Sequence, residues 1–217
     1  MGEAEINIAK QQIVIHSDFF FYGDAANDTL SDQIAKDIAS HWNEANGKVM
    51  LKNRLYEVAF SITGRWAKNL TPEMVFENTN PRNNYFRIEN FTETDISFVD
   101  GIGSNTGYLK LDNLMNNSTT AAHEYGHTLG LIHPEILDIR GKGQPGIMYP
   151  RGTIVDSVYQ YNPAATRMEP GGTINPFKRK VLQKDIENLR LRKLNFSRTG
   201  FAMLGEFTSM WHQRHLP

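Results

Sequence analysis

The sequence contains no cysteine among its 217 residues. This absence excludes disulfide bonds, thiolate metal sites, a cysteine nucleophile and a latency switch that works through a cysteine. It does not indicate a compartment, because a chain without thiols can work in oxidising or in reducing surroundings.

The sequence also lacks an excess of charge of either sign. It has 23 Lys and Arg residues and 24 Asp and Glu residues, and its formal net charge is −1. Such a chain lacks the long-range positive field of a nucleic-acid-binding protein, so no nucleic-acid partner is expected. No run of about 18 apolar residues occurs, which excludes a membrane-spanning helix.

The N-terminus does not have the composition of a signal peptide. Its first ten residues read MGEAEINIAK, with two Glu, no basic start and no apolar core. Export by a specialised route, release from a longer chain and a cytoplasmic location therefore all stay open.

Hydrophobic periodicity predicts an α+β fold. Strand-like runs, either alternating or rich in β-branched and aromatic residues, occur at residues 13–22, 55–66, 85–91, 96–99 and 107–111. Helical spacing of apolar residues occurs at residues 29–46, 118–131 and 177–191. A stretch rich in Gly, Pro and Asn, residues 134–175, is predicted to be irregular, and such stretches are usually functional. This order predicts a mixed sheet with helices packed on it.

Residues 123–133 read HEYGHTLGLIH and carry the strongest chemical signal in the sequence. His123 and His127 are four residues apart, so on a helix they share one face, with Glu124 beside them. His133 cannot lie on that face, but it reaches the same metal ion if the chain turns sharply at Gly130. Three imidazole nitrogens leave a tetrahedral zinc ion one open position, which is the arrangement of a catalytic site.

The pattern HExxHxxGxxH is the zinc signature of the metzincin metallopeptidases, and the chain resembles this family. The segment GIMYP, residues 146–150, places Met148 and Tyr149 where metzincins have a tight methionine turn beneath the metal. The order of strand, polar loop and zinc helix over residues 107–134 looks most like matrixins and serralysins. The sequence LQKDIENLRL, residues 182–191, resembles the C-terminal helix of matrixins.

The sequence departs from the family pattern in its additional metal sites. Pro150 stands where astacins and serralysins have a tyrosine that is an extra zinc ligand, so that ligand is not carried over. The glycine-rich calcium repeats of serralysins are absent, and the matrixin structural zinc and calcium loop has no clear equivalent. Residues 100–105, DGIGSN, allow a calcium loop, but a plain turn between strands fits equally well, which leaves calcium an unsupported option.

The resemblance implies a metzincin-like α+β fold with a twisted mixed sheet of five strands and about three helices, in a single domain of residues 1–217. The zinc cleft is expected between an upper part, residues 1–133, and a smaller lower part, residues 134–217. The upper part has the sheet and the zinc helix, and the lower part has the methionine turn and the last helix. Gly130, Met148 and Tyr149 are the expected structural residues at the site.

The function implied by the resemblance is that of a zinc-dependent endopeptidase. One catalytic zinc ion would be bound by His123, His127 and His133, and Glu124 would be general base and then general acid for a zinc-activated water. A protein or peptide substrate would lie extended along an edge strand, and the residues expected to contact it are Ile96, Ser97, Phe98, Val99 and Pro150. The family also favours a secreted, monomeric protein.

The specificity pocket is expected to be apolar. Residues 151–161 would form its wall, and Ile154, Val155 and Val158 would line it. At the C-terminus, the sequence WHQRHLP with His212 and His215 could fold over the zinc and mask it, although a solvated tail is the plainer interpretation.

Three other functions are compatible with the same residues. The site could hydrolyse the short peptides of a bacterial cell wall, or it could belong to the toxin module of a larger delivered protein. A catalytically inactive metzincin-like protein kept for binding is a further alternative, which the intact Glu124 disfavours.

Overall fold

A computed structural model describes residues 1–115 and 118–216, which leaves Asn116, Asn117 and Pro217 outside the description. The described residues form eight strands, β1 Gly2–Asn7, β2 Gln12–Tyr22, β3 Lys48–Leu51, β4 Arg54–Trp66, β5 Asn83–Glu89, β6 Phe98–Val99, β7 Thr106–Lys110 and β8 Phe201–Leu204. They also form four α-helices, α1 Asp28–Glu44, α2 Pro72–Phe76, α3 Thr120–Thr128 and α4 Gln183–Asn188. The predicted α+β class is confirmed. Within the described ranges, no helix has the length and apolar character needed to cross a membrane.

Strand β2 forms the centre of a mixed, curled sheet. Its alternating sequence buries one face, which includes Ile13, Ile15, Phe19 and Phe21. β4 runs parallel along one side of β2, while β1 pairs antiparallel with the first half of the other side and β5 pairs parallel with the second half. β7 continues parallel to β5, and β6 is antiparallel to β7 at the end of the sheet. β3 pairs with β4, and β8 pairs with β1.

Helix α1 holds helix α3 against the sheet. It begins after Asn27, whose side chain accepts a hydrogen bond from the Leu30 amide and so caps the first turn. Near its end, the fully buried Trp42 donates its indole N–H to the Ala122 carbonyl over 3.0 Å. The same ring meets Tyr125 edge-on, with 5.6 Å between ring centroids. These contacts place the histidine-bearing helix next to the main core.

The sheet has eight strands rather than the five expected. The three additional strands, β1, β3 and β8, are short or pair with a segment that is remote in sequence. β3 and β8 have four residues each, which is too few to show a reliable alternation. β1 contains Glu3 and Glu5, and it is held between β2 and β8, where Glu3 pairs with Met203. Residues 201–204 thereby return to the sheet from the part of the chain expected to be separate from it.

The helix predicted over residues 177–191 is wrong in extent. The structure has a 3-10 turn at Pro176–Lys178, α4 at Gln183–Asn188 and another 3-10 turn at Leu191–Lys193. Between the first two, the chain is extended, because Lys180 bridges to Gly146 and its amide donates to the Pro145 carbonyl over 3.0 Å. Pairing with a remote segment therefore overrides the helical spacing of the apolar residues.

The stretch 134–175 is irregular, as predicted, and all of it is described. It contains a 3-10 turn at Ser157–Tyr159 and isolated bridges between Asp138 and Ile154 and between Gln160 and Ile174. A small core of Ile139, Val155 and Ile174 lies inside it. The stretch is thus a packed loop region and not an extended linker.

Candidate metal centre

A glycine turn at the end of α3 brings the third histidine back to the first two. The helix ends at Thr128 with Leu129 as its C-cap, and Gly130 follows with φ +93°, in the left-handed region that glycine adopts without strain. The Gly130 amide donates to the His127 carbonyl, and the Leu131 amide donates to the Gly126 carbonyl, both over 3.0 Å. This pair of bonds is a Schellman motif, which ends the helix and redirects the chain.

The three predicted metal ligands meet at one point. Nε2 of His133 lies 3.0 Å from Nε2 of His123 and 3.1 Å from Nε2 of His127. Tetrahedral ligands at zinc–nitrogen distances near 2.1 Å would be roughly 3.4 Å apart, a few tenths of an ångström more than this spacing. The group could therefore bind a metal ion.

Backbone carbonyls fix the tautomers of two of these rings. Nδ1 of His123 lies 2.7 Å from the Ile147 carbonyl, and Nδ1 of His127 lies 2.8 Å from the Leu131 carbonyl. A carbonyl accepts only, so each Nδ1 carries the proton and each Nε2 keeps its lone pair. Orientation of a metal-binding histidine by a carbonyl on its other nitrogen is the usual arrangement at metal sites.

Burial keeps the histidines neutral. It lowers the pKa of His123 well below its usual value and lowers that of His127 to about 4. It also lowers the pKa of His133, which is more exposed than the other two. The positive Arg179 lowers all three pKa values further. Neutral imidazole is the form that binds a metal, so the environment suits the donor set.

Glu124 projects into the same cavity from the next position on the helix. Its side chain is buried, and among the described residues its carboxylate has no hydrogen-bond partner. Burial raises the pKa of Glu124 to about 8, against the opposing attraction of Arg179 and Arg151. A carboxylate with a raised pKa in a cleft is suited to accept and hold a proton.

The predicted methionine turn lies directly against α3. The Tyr149 amide donates to the Gly146 carbonyl, which closes the turn, and Met148 is buried beneath the helix next to Gly126. Ile147, inside the turn, supplies the carbonyl that orients His123. Tyr149 packs against the small core of Ile139, Val155 and Ile174. The turn therefore supports the helix and one histidine together.

A cleft of about 470 Å³ opens over the three histidines and Glu124. It is lined by every residue expected to contact substrate, namely Ile96, Ser97, Phe98, Val99 and Pro150. β6 lies at the end of the sheet, and in the described part of the chain no strand pairs with its outer edge. An extended peptide could therefore add to this edge by backbone hydrogen bonds.

The expectation of an apolar pocket wall is wrong. Val155 is buried in the small core, Val158 points to solvent, and neither they nor Ile154 line the cleft. Arg151 and Arg179 are there instead. Sequence analysis missed Arg179 because the surrounding apolar spacing indicates a helix, and no local signal indicates that the chain is extended at this position.

The C-terminal tail neither covers the histidines nor extends into solvent. Trp211 stacks on Tyr22 with 4.6 Å between ring centroids, and His215 stacks on Tyr108 at 4.2 Å. His212 contacts Asp100 through its Nε2, 2.8 Å from a carboxylate oxygen. Asp100 is the acidic residue at the start of residues 100–105, the segment considered as a possible calcium loop. This segment forms a turn, and the contact with His212 occupies its carboxylate. Pro217 lies outside the described residues.

Comparison with known proteins gives no family assignment. No protein-family model matches the chain, and no curated protein matches it.

Proposed function

We propose that this protein is a zinc-dependent endopeptidase of the metzincin type. The observation that carries the proposal is the convergence of three Nε2 atoms, from His123, His127 and His133, beside the carboxylate of Glu124, which accepts no hydrogen bond from any described residue. Two features of the sequence pattern support the metzincin type. They are the glycine turn at Gly130 and the buried Met148 under the helix.

The donor set favours zinc. Three neutral imidazole nitrogens, with room above them for a further ligand, are typical of catalytic zinc sites, and the chain has no thiol to form a closed structural site. Nitrogen donors also bind other divalent ions, so the identity of the metal as zinc is itself part of the proposal. When bound there, zinc supplies a Lewis acid that polarises a peptide carbonyl and makes water more acidic.

Glu124 is the proposed proton carrier. Its carboxylate accepts a proton from the attacking water and then delivers that proton to the nitrogen of the leaving amine, so one group serves both halves of the hydrolysis. Burial raises the pKa of Glu124, which favours uptake of a proton, and the positive charges of Arg179 and Arg151 oppose this rise, which favours its release.

The substrate is proposed to bind as an extended strand along β6. Residues 96–99 and Pro150 all line the cleft. Backbone hydrogen bonds to an edge strand do not depend on side chains, so they position a peptide without selecting its sequence. Selection then depends on the other side chains that line the cleft.

The test is digestion of an unfolded protein mixture with zinc-loaded protein, followed by mass spectrometry of the new termini. The Glu124→Gln variant should keep one zinc per chain and lose cleavage by a factor of about 100 or more. Glu135→Gln is the matched control, because Glu135 is exposed just after His133 and does not line the cleft. Cleavage that survives in Glu124→Gln would contradict the role of Glu124, and absence of cuts by the zinc-loaded wild type would contradict a general endopeptidase.

A further inference from the structure

Resting on the proposed function, we infer that Arg179 and Arg151 form a carboxylate-binding subsite in the wall of the cleft, so that the enzyme selects substrates with a negative charge beside the scissile bond. Both guanidinium groups line the cleft that contains the three histidines. The carboxylate would be an Asp or Glu side chain or the C-terminal carboxylate of a peptide.

Arg179 is a buried cation, and not all of its N–H groups find an acceptor among the described residues. Its side chain is 5% exposed, its Nε donates to Thr119 Oγ1 over 3.1 Å, and its Nη1 donates to the Tyr149 carbonyl over 3.0 Å. Nη1 also lies 3.0 Å from Nδ1 of His123, but that nitrogen already donates to Ile147 and cannot accept. Among the described residues, Nη2 has no hydrogen-bond acceptor.

No carboxylate of the described residues forms a direct ion pair with Arg179 or Arg151. A buried guanidinium that no carboxylate contacts is costly, and proteins rarely keep one unless something binds it. Among the described residues that line the cleft, Glu124 has the only carboxylate. It attracts Arg179 without forming a hydrogen-bonded pair, and the proposed chemistry needs it free to accept a proton.

Arg151 adds a second, more exposed cation to the lining of the cleft. It is exposed at the rim, directly after Pro150, and its Nη2 donates to Asn113 Oδ1 over 2.9 Å. Arg151 and Arg179 line the same cleft, so their like charges repel each other there. A carboxylate between them would relieve that repulsion, and the planar guanidinium fork matches its two oxygens.

Arg179 could instead act as a positioning residue for Glu124, since its charge lowers the pKa of that carboxyl group. The two roles differ in what they predict. A positioning role affects all substrates equally, whereas a subsite affects only substrates that carry the carboxylate. The test must therefore compare substrates and not only variants.

The first experiment measures kcat/KM for matched peptides that place Glu or Gln at each position flanking the cut, each with a free or an amidated C-terminus. We expect one carboxylate position to be preferred over its amide by about tenfold to a hundredfold. Arg179→Gln and Arg151→Gln should reduce this ratio towards one, and the exposed Arg167→Gln, which lies outside the cleft, should keep it. The free and amidated C-termini distinguish a side-chain carboxylate from a terminal one.

A second experiment needs neither zinc nor hydrolysis. The buried Nε–H of Arg179, held by Thr119, gives an NMR signal that can be assigned with Arg179→Lys and followed during titration with N-acetylglutamate amide, N-acetylglutamine and N-acetylglutamine amide. Saturable shifts with either of the first two probes, which carry a side-chain or a terminal carboxylate, and none with the third support the subsite. Because Arg151 is exposed, Arg151→Gln keeps the comparison informative if Arg179→Gln does not fold.

The outcomes separate the two proposals. If no peptide is cut but the carboxylate probes bind selectively, the endopeptidase is contradicted and the subsite stands. A Glu-to-Gln ratio within twofold, an equal loss for both substrates in Arg179→Gln, or identical NMR responses to all three probes would overturn the subsite.

Discussion

Met148 lies in direct contact with Gly126, the helical residue immediately before His127, the second of the three proposed metal ligands. A Cβ atom built on Gly126 would overlap the Met148 sulfur and would come within 3.4 Å of Trp42 Cζ2. The contact requires a glycine in the middle of a helix, where glycine is otherwise unfavourable by about 1 kcal/mol. Close packing of the helix on the methionine turn is therefore favoured over helix propensity.

Gly126→Ala should destabilise the protein by about 1–3 kcal/mol, because the added methyl group overfills a packed site. It should also weaken metal binding, since the displaced turn contains Ile147, whose carbonyl orients His123. Thermal unfolding and zinc titration measure the two effects. The double variant Gly126→Ala with Met148→Ala is the control, because space vacated by the sulfur should make the two losses less than additive. Additive losses would show that the contact is not the cause.

Gly130→Ala should reduce metal affinity through the backbone alone. Gly130 has φ +93° and open space where a Cβ would be placed, so the cost is conformational strain of more than about 1 kcal/mol. Gly143, with φ +78° and equally open surroundings, is the matched control in a loop away from the histidines. Both alanine variants should lose similar stability in urea unfolding, but only Gly130→Ala should weaken zinc binding. Equal effects on zinc affinity would contradict the role of the turn.

The group of three histidines that could bind a metal ion is predictable because its geometry is local. His123, His127 and His133 are joined by one helix and one glycine turn, and both follow from spacing and from the conformational freedom of Gly130. No remote contact has to be known. The edge position of residues 96–99 is expected only from the family resemblance and not from local spacing, since a strand of two residues is defined by its partner β7.

The position of Arg179 in the cleft could not be predicted from the sequence, because it depends on a remote contact. Its position depends on the bridge between Lys180 and Gly146, residues far apart in sequence, and the apolar spacing from Val181 to Leu189 indicates a continuous helix. β1 and β8 are a similar case, since their pairing joins the two ends of the chain and neither shows a distinctive pattern. Patterns within a segment cannot show which remote segment it meets.

Zinc should stabilise the folded protein against heat. At free zinc a thousandfold above the dissociation constant, the stabilisation is about 4 kcal/mol, which EDTA should remove. His133→Ala should abolish most of this zinc-dependent increase in melting temperature, because it deletes one of three nitrogen ligands. His16→Ala is the control, since His16 pairs with Glu5 on the strands β1 and β2 and takes no part in the metal group. The same zinc response in both variants would remove His133 from the ligand set.

Truncation after Met210 should cost stability and should not increase peptidase activity. The removed residues include Trp211, which stacks on Tyr22, and His212, which contacts Asp100 and meets the Phe98 ring edge-on at 5.6 Å. Loss of the aromatic packing alone should lower the free energy of unfolding by about 2 kcal/mol. Because Phe98 belongs to β6, hydrogen exchange should also become faster in residues 96–99, where substrate is proposed to bind. A truncated protein that is as stable as the full chain but more active would instead indicate that the tail inhibits the enzyme.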